Sequence, residues 1–429
     1  MQSTQQSTVT PTPQNGASPI PDHVSSIPLE DIDVSNPEMH RDNLMWDYFA
    51  RLRDEDPVHY CRDSLFGPFW SVTRFADIME VETHPDLYTS DTYGGGITIM
   101  DNNSAASMPM FISMDPPIHD EQRKIVSPIV APDNLAKLEG LIRERTADVL
   151  DHLPVNEPFD WVKKVSIDLT TKMLATLFDF PWEERHMLTH WSDLATTIPG
   201  AGIIDSEEER VEEIKGMAVY MTKMWNQRVN SPPGNDVLSM LAHSDKTRNM
   251  TQEELLGNCF LLIVGGNDTT RNSMTGGLMA LNEHPGEYAK LCANPGLIPS
   301  LVPEIIRWQT PLAHMRRDAI VDTELGGKKI KKGEKVVMWY VSGNRDERAI
   351  DRPNEFLIDR KRPRHHLSFG FGVHRCVGNR LAEMQLRILW EELLRRWPRP
   401  GQVEVVGQPK RILSCFVKGF EALPVRINA

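Results

Sequence analysis

The chain has 429 residues, carries 47 Lys and Arg against 60 Asp and Glu for a formal charge of −13, and is 40% hydrophobic and 25% charged. Those proportions are ordinary for a water-soluble globular protein, and the acidic balance speaks against nucleic acid as the main partner, because phosphate binding needs net or local positive charge. Wholly apolar runs such as Cys259 to Val264 are far too short to span a bilayer, so no stable membrane anchor is expected.

Residues 1–28 are rich in Ser, Thr, Gln and Pro and predict a flexible N-terminal tail. They lack the basic start and apolar stretch of a signal peptide. From residue 29 to 429 no linker, low-complexity tract or repeat interrupts the chain, so one domain is expected. Apolar residues at three-to-four spacing predict helices over 41–55, 134–152, 161–178, 206–229, 252–283, 287–293, 298–309 and 377–395. Strand signals are short: Val58–Cys61, Phe69–Thr73, Lys335–Tyr340 and the residues around Cys415–Phe416, with turns at Gly326-Gly327 and Lys332-Gly333. The 252–283 stretch is apolar on most faces at its centre, the pattern of a helix that crosses a protein interior. The fold class is therefore mainly α, with minor β-sheets around a long central helix. Five scattered cysteines without a C-x-x-C pair argue against a disulfide framework and for a reduced, cytoplasmic setting.

The segment from His365 to Leu394 carries the sharpest chemistry. Phe369-Gly370-Phe371-Gly372 reads as a loop, and Leu381, Met384 and Ile388 open a helical apolar face, so Cys376 sits where a helix begins. Unpaired N–H groups and the positive end of the helix dipole favour a thiolate there, and the glycines let a flat ligand or backbone donors approach the sulfur. A zinc site built from His365, His366, His374 and Cys376 lacks paired-ligand spacing. A dinucleotide loop fails because Arg375 stands where a third glycine belongs and no long strand precedes it.

Phe369-Gly-Phe-Gly-Val-His374-Arg-Cys376-Val-Gly378 resembles the haem-binding signature of the cytochrome P-450 family and matches it at every defined position. The resemblance, which runs from about residue 30 to the C-terminus, implies the single-domain fold of that family, haem b (iron protoporphyrin IX) as cofactor, and Cys376 as the proximal iron ligand. A thiolate in that place favours O–O cleavage. It further implies that Phe369 packs near the sulfur and that His374 donates to a haem propionate. His119 and Arg123, at i and i+4 on one helix face, and Arg317 are the other expected propionate contacts. Glu304 and Arg307, with Arg360 downstream, resemble the family's buried structural cluster. Gly265-Gly266-Asn267-Asp268-Thr269-Thr270 resembles its acid–alcohol motif, with Thr269 as hydrogen-bond donor in the oxygen pocket and Asp268 as proton relay. Two glycines in a helix each cost about 1 kcal/mol relative to Ala, which predicts a local distortion there or close helix packing.

Within the family, MDPPIHDEQRK and GGNDTTRNS are similar to the soluble bacterial terminal alkane and fatty-acid omega-hydroxylases. That implies a small apolar substrate oxidised at a terminal methyl. Hydroxylation of a steroid side chain or branched lipid is the alternative of the same class, and a non-catalytic haem sensor or carrier that of another. Ile97, Met100, Phe111, Leu262, Gly265, Leu312 and Phe416 are expected to line the substrate pocket, in a Met-rich wall suited to conformable chains. The stretch Thr196–Gly202 is expected as a lid over the entry channel. Between Arg360 and Ala382 stand Arg360, Lys361, Arg362, Arg364, Arg375 and Arg380 with no acid. This basic patch is expected to receive an acidic [2Fe-2S] ferredoxin, with ferredoxin reductase carrying electrons from NAD(P)H.

Overall fold

A computed structural model describes residues 21–91, 96–101, 109–196 and 204–429. The central helix, Gln252–Glu283, is α-helical throughout its 32 residues. It starts at a capping box: the Thr251 hydroxyl accepts from the Glu254 N–H, and the Glu254 carboxylate accepts from the Thr251 N–H. Its neighbours include His186–Thr196, Asp168–Phe178, the π-turn Val162–Ile167 and Ile298–Gln309. Close approach to the last of these requires glycine. A Cβ on Gly277 would lie 2.7 Å from Ile305 Cδ1, and one on Gly276 2.3 Å from Gln309 Oε1.

The α-helix runs unbroken through Gly265-Gly266, and of the two alternatives close packing accounts for one of the glycines. Gly266 serves packing, since a Cβ there would meet Leu174 at 2.8 Å, whereas Gly265 has nothing within 4 Å and borders a cavity. The helix tolerates both because neighbouring helices supply the stability that propensity withholds. Among the described residues no helix is long and apolar enough to cross a membrane.

The main sheet has five strands in the order Val58–Cys61, Phe69–Val72, Lys335–Met338, Met315–Ala319 and Tyr88–Thr89. Only the Phe69–Val72 and Lys335–Met338 pair is parallel. Gly326, Gly327 and Gly333 have positive φ, as their predicted turns require. The strand expected around Cys415–Phe416 is a single bridge, Leu312 to Val417, and the C-terminal strands lie at Phe420–Ala422 and Pro424–Ile427. Residues 21–28, which composition assigns to a flexible tail, have defined structure. Residues 22–25 form a helical turn, Val24 is fully buried, and the Arg51 guanidinium donates to Val24 O at 2.7 Å and to Ile27 O at 2.5 Å.

Glu304, Arg307 and Arg360 meet. Glu304 is fully buried; its carboxylate accepts two bonds from Arg307, both 2.8 Å, two from Arg360 at 3.0 and 3.2 Å, and the Leu357 N–H at 2.9 Å. Arg307 also donates to Asn344 O at 2.9 Å and Pro353 O at 2.8 Å. Asn344 in turn holds the chain that leads to Cys376, accepting from the Leu367 N–H at 2.7 Å and donating to Ser368 Oγ at 2.8 Å. Burial would push the Glu304 carboxyl up, yet Arg307 and Arg360 hold it below the usual range. A lowered folded-state pKa means that the cluster's stabilisation is complete above the ordinary carboxylate range and is lost as pH falls through the lowered value. Replacing Glu304 by Gln leaves a buried guanidinium uncompensated, and a loss of about 3–5 kcal/mol is expected from denaturant unfolding. A loss below 1 kcal/mol contradicts this assignment.

Candidate active site

The loop before the helix Asn379–Arg396 is bent by two glycines. Gly370 has φ +65° and Gly372 φ +62°, and a Cβ on Gly372 would stand 2.1 Å from the Glu82 carbonyl oxygen. The loop is thus pressed against the end of helix Phe75–Thr83. It closes on itself through the Cys376 N–H, which donates to Phe369 O at 2.8 Å, and the Phe369 ring lies 5.6 Å from that of His366.

Cys376 opens onto the largely apolar cavity, while Cys61, Cys259 and Cys415 are buried and Cys292 is half-buried. Burial pushes the three buried thiols up to about 12. Burial also raises Cys376, but the Gly378 N–H, the charges of Arg123 and Arg375, and the Asn379 N–H pull the other way. Those donors are the ones that a helix start leaves free.

Across the cavity runs the central helix, with Leu262, Gly265, Gly266, Thr269 and Thr270 on the wall. The Thr269 hydroxyl donates to Gly265 O at 3.1 Å. Asp268 faces away from the cavity and is buried. Its carboxylate accepts from Arg271 at 2.7 Å and from Ser192 and Asn267, each at 3.2 Å. Arg271 continues to Asp193 at 2.9 Å, and the Asp193 side chain is a quarter exposed.

His119, Arg123, Arg317 and His374 converge on one rim of the cavity. The His119 and His374 rings lie 4.2 Å apart. His119 Nδ1 bonds Asp120 at 2.8 Å and His374 Nε2 bonds Ser90 Oγ at 2.9 Å, while His119 Nε2 and His374 Nδ1 are buried without a partner. Burial, aided by Arg317, His119 and Arg123, lowers His374 to about 2. Arg317 donates to Glu82 at 3.0 Å, and the Tyr340 hydroxyl donates to the other oxygen of that carboxylate. Glu82, Tyr340 and Ser90 are not foreseen in the sequence, and nothing in the local pattern sets Glu82 apart from Glu80 two residues before it. Two unpartnered buried imidazole nitrogens, two guanidiniums, a glycine cradle and a lone thiol fit a flat dianionic macrocycle with a central metal.

Of the expected pocket residues, Ile97, Phe111, Leu262, Gly265 and Leu312 line the cavity. Met100 and Phe416 do not. Met100 is 49% exposed, and it is its carbonyl, which accepts from the Arg316 guanidinium at 3.2 Å, that meets the sheet. The Phe416 ring lies 5.2 Å from His314, and the backbone rather than the ring supports the wall, Phe416 O accepting from the Ala313 N–H at 2.8 Å. Met315 is the methionine on this wall among the described residues, so the Met-rich lining is not found there. Gly94, Gly95, Met108 and the expected lid after Thr196 lie outside the described residues.

The cytochrome P450 family profile matches residues 296–403. Linalool 8-monooxygenase of Pseudomonas putida is 34% identical over 407 residues, covering 92% of this chain and 99% of that protein. The methyl-branched lipid omega-hydroxylase of Mycobacterium bovis is 30% identical over 93% of this chain and 95% of its own. The solved structure of CYP153D17 from Sphingomonas sp. PAMC 26605 superposes with a TM-score of 0.86 at 49% identity, covering 92% of this chain and 99% of that one. A cysteine loop facing a long central helix across an apolar cavity, with relatives of matching length, defines a haem-thiolate oxidoreductase. The chain belongs to the cytochrome P450 family and is a monooxygenase that depends on redox partners for electrons.

Gly372→Ala tests the cradle. Its Cβ meets backbone and its φ is left-handed, at a cost of roughly 1–2 kcal/mol from conformation alone. Purified variant should contain less than half the haem of the parent per protein, by pyridine haemochrome absorbance. Full haem occupancy would show that the contact with Glu82 is slack.

Proposed function

We propose that this enzyme hydroxylates the terminal methyl of a small linear apolar molecule, a medium-chain alkane or fatty acyl chain. The observation that carries the reading is the apolar wall facing Cys376, with Thr269 its polar group nearest the Gly265 turn. Ile97, Phe111, Leu262 and Leu312 contribute to it. The charged lining residues Glu82, Arg123 and Arg317 belong to the rim that would hold the cofactor's propionates. A substrate charge therefore has no partner on the described wall, which favours alkanes over free acids unless a carboxylate stays at the mouth.

Haem held by the Cys376 sulfur supplies oxygen activation and hydrogen abstraction when bound. The overall change is R–CH3 with O2, two electrons and two protons giving R–CH2OH and water. Cys376 anchors the cofactor, and His119, Arg123, Arg317 and His374 orient it through donors on one rim. The apolar wall excludes water and holds the chain end-on, since the terminal C–H bond is stronger than its neighbours and only shape selects it. Thr269 holds a proton on the cavity side. Asp268 is the proposed relay between Thr269 and solvent, its carboxylate held by Arg271, which also pairs with the part-exposed Asp193; the guanidinium orients the carboxylate and relays no proton itself.

Electrons are proposed to come from NAD(P)H through a reductase and a [2Fe-2S] ferredoxin. The basic patch is smaller than its sequence suggests, because Arg360 is paired with Glu304 and Arg364 with Glu383 at 2.8 Å. Lys361, Arg362, Arg375 and Arg380 are exposed without a carboxylate partner among the described residues, beside the exposed Phe371. Branched lipids are the second reading, supported by the names of two relatives, which specify linalool and a methyl-branched lipid.

The test begins with the carbon monoxide difference spectrum of the reduced protein, then turnover of octane, dodecanoic acid and linalool with NADH, ferredoxin reductase and a [2Fe-2S] ferredoxin. A thiolate Soret band with 1-octanol as main product is expected. Exclusively subterminal alcohols sink the terminal assignment, and linalool as the sole productive substrate favours the branched reading. Thr269→Ala should lower product per NADH by at least about tenfold, a conservative fraction of the roughly 10²–10⁴-fold that a positioned proton donor supplies, with hydrogen peroxide rising in step. Unchanged coupling removes Thr269 from proton delivery.

A further inference from the structure

Strand Met315–Ala319 serves two sides. Met315 and Arg317 face the cofactor cavity, and Arg316 and Asp318, one residue out of phase, face the opposite side. Against that strand lies the segment 96–101, whose Ile97 lines the cavity while Ile99 is buried in the core cluster with Trp339 and Ala313.

Polar groups pin the segment at each step. The Arg316 N–H donates to Ile97 O at 2.9 Å, and the Ile99 N–H donates to His314 Nε2 at 3.1 Å. Lys335 Nζ donates to Ile99 O at 3.0 Å and the Arg316 guanidinium to Met100 O at 3.2 Å. Asp101 then joins both cations, accepting from Arg316 at 2.7 Å and Lys335 at 3.1 Å. The two cations are 3% and 7% exposed at their side chains, and Asp101 46%. His314 is itself anchored through Nδ1, which donates to Cys415 O at 3.0 Å, and burial lowers it to about 3, so the ring stays neutral with one donor and one acceptor.

Such a lattice is more than a short loop with one buried isoleucine needs. Neutral backbone bonds fix where the segment runs. The Asp101 pair with two poorly hydrated cations fixes how far its end is pulled toward the sheet, and hence how deep Ile97 reaches. We infer that Asp101, clamped by Arg316 and Lys335, is a positioning residue for substrate selectivity, setting the Ile97 wall against the alkyl part of the ligand. It acts through Ile97 and touches no substrate itself. The inference rests on the reading of Ile97 as substrate wall, and extends it to a residue outside the cavity.

Imidazole and 1-octylimidazole separate the wall from the iron site, since they share a head group and differ in the chain. Both are titrated into haem-loaded protein by the shift of the Soret band. In Asp101→Asn, imidazole affinity should stay within about twofold of the parent, and 1-octylimidazole should bind roughly fivefold more weakly, the scale of a partly exposed ion pair. Ile97→Ala should weaken the octyl ligand alone, and the double variant should be no weaker than Ile97→Ala, because both changes act at one contact. Asp101→Glu, which keeps the charge, should recover at least half of the loss on a logarithmic scale.

Equal weakening of both ligands, or octyl losses that multiply in the double variant, would overturn the inference. Unchanged octyl binding in Asp101→Asn overturns it as well. Failure of the monooxygenase reading looks different: the parent protein itself would then show no thiolate-haem spectrum for either ligand to shift.

Discussion

One fully buried carboxylate organises the cofactor side of this protein. Glu304 cannot be hydrated, so its charge must be met by Arg307 and Arg360, and both guanidiniums must spend their remaining N–H groups on nearby carbonyls. Those carbonyls belong to the residues 344–355, and Asn344 passes the constraint to Leu367 and Ser368. The loop carrying Cys376 is therefore built on a frame whose geometry follows from charge neutrality in a low-dielectric core. Removing one partner disturbs every segment that answers it.

Above that frame the protein separates two chemistries by the simple alternation of a strand. Arg317 and Met315 belong to the cofactor cavity, while Arg316 and Asp318 belong to the polar lattice behind it. A single five-residue strand thus links cofactor orientation to the position of the apolar wall. The central helix divides its side chains in a comparable way: Thr269 lies on the wall, and Asp268, one residue earlier, is turned toward Arg271, which also pairs with Asp193. Consecutive helical residues point about 100° apart, so one motif can present a hydroxyl inward and a carboxylate outward.

Electrostatics inside an acidic protein are inverted locally. Arg123, Arg307, Arg316, Arg317 and Arg345 are withdrawn from solvent to different degrees, and each has carbonyls, carboxylates or aromatic faces around it. Arg345 stacks 3.6 Å from the Trp308 ring centroid and 4.6 Å from that of Trp46. Net charge says nothing of this interior arrangement. It bears instead on the surface, where the free cations near Cys376 stand out against an acidic background.

Local pattern was enough to read the central helix, whose 252–283 periodicity coincides with the observed Gln252–Glu283. It was enough also to single out Cys376, because a glycine-rich turn before an apolar helical face is a short-range signal. The helices Phe75–Thr83 and Val237–His243 escaped, being short and weakly periodic against their flanks. Glu82 escaped for a different reason: its partner Arg317 is 235 residues away, and nothing near either residue marks the pairing. Arg360 stood in both the basic run and the expected Glu304 cluster, and the structure places it in the cluster; the pairing of Arg364 with Glu383 and the turn of Met100 and Phe416 away from the cavity depend on packing that no local pattern marks. The sequence alone determined which residue types were available for the chemistry and on which helices they would sit, since backbone propensity, periodicity and capping act within a few residues. Only the tertiary structure decided which charges were neutralised, which side chains faced the cavity and which glycines served packing, because burial and partnership depend on segments brought together across the whole chain.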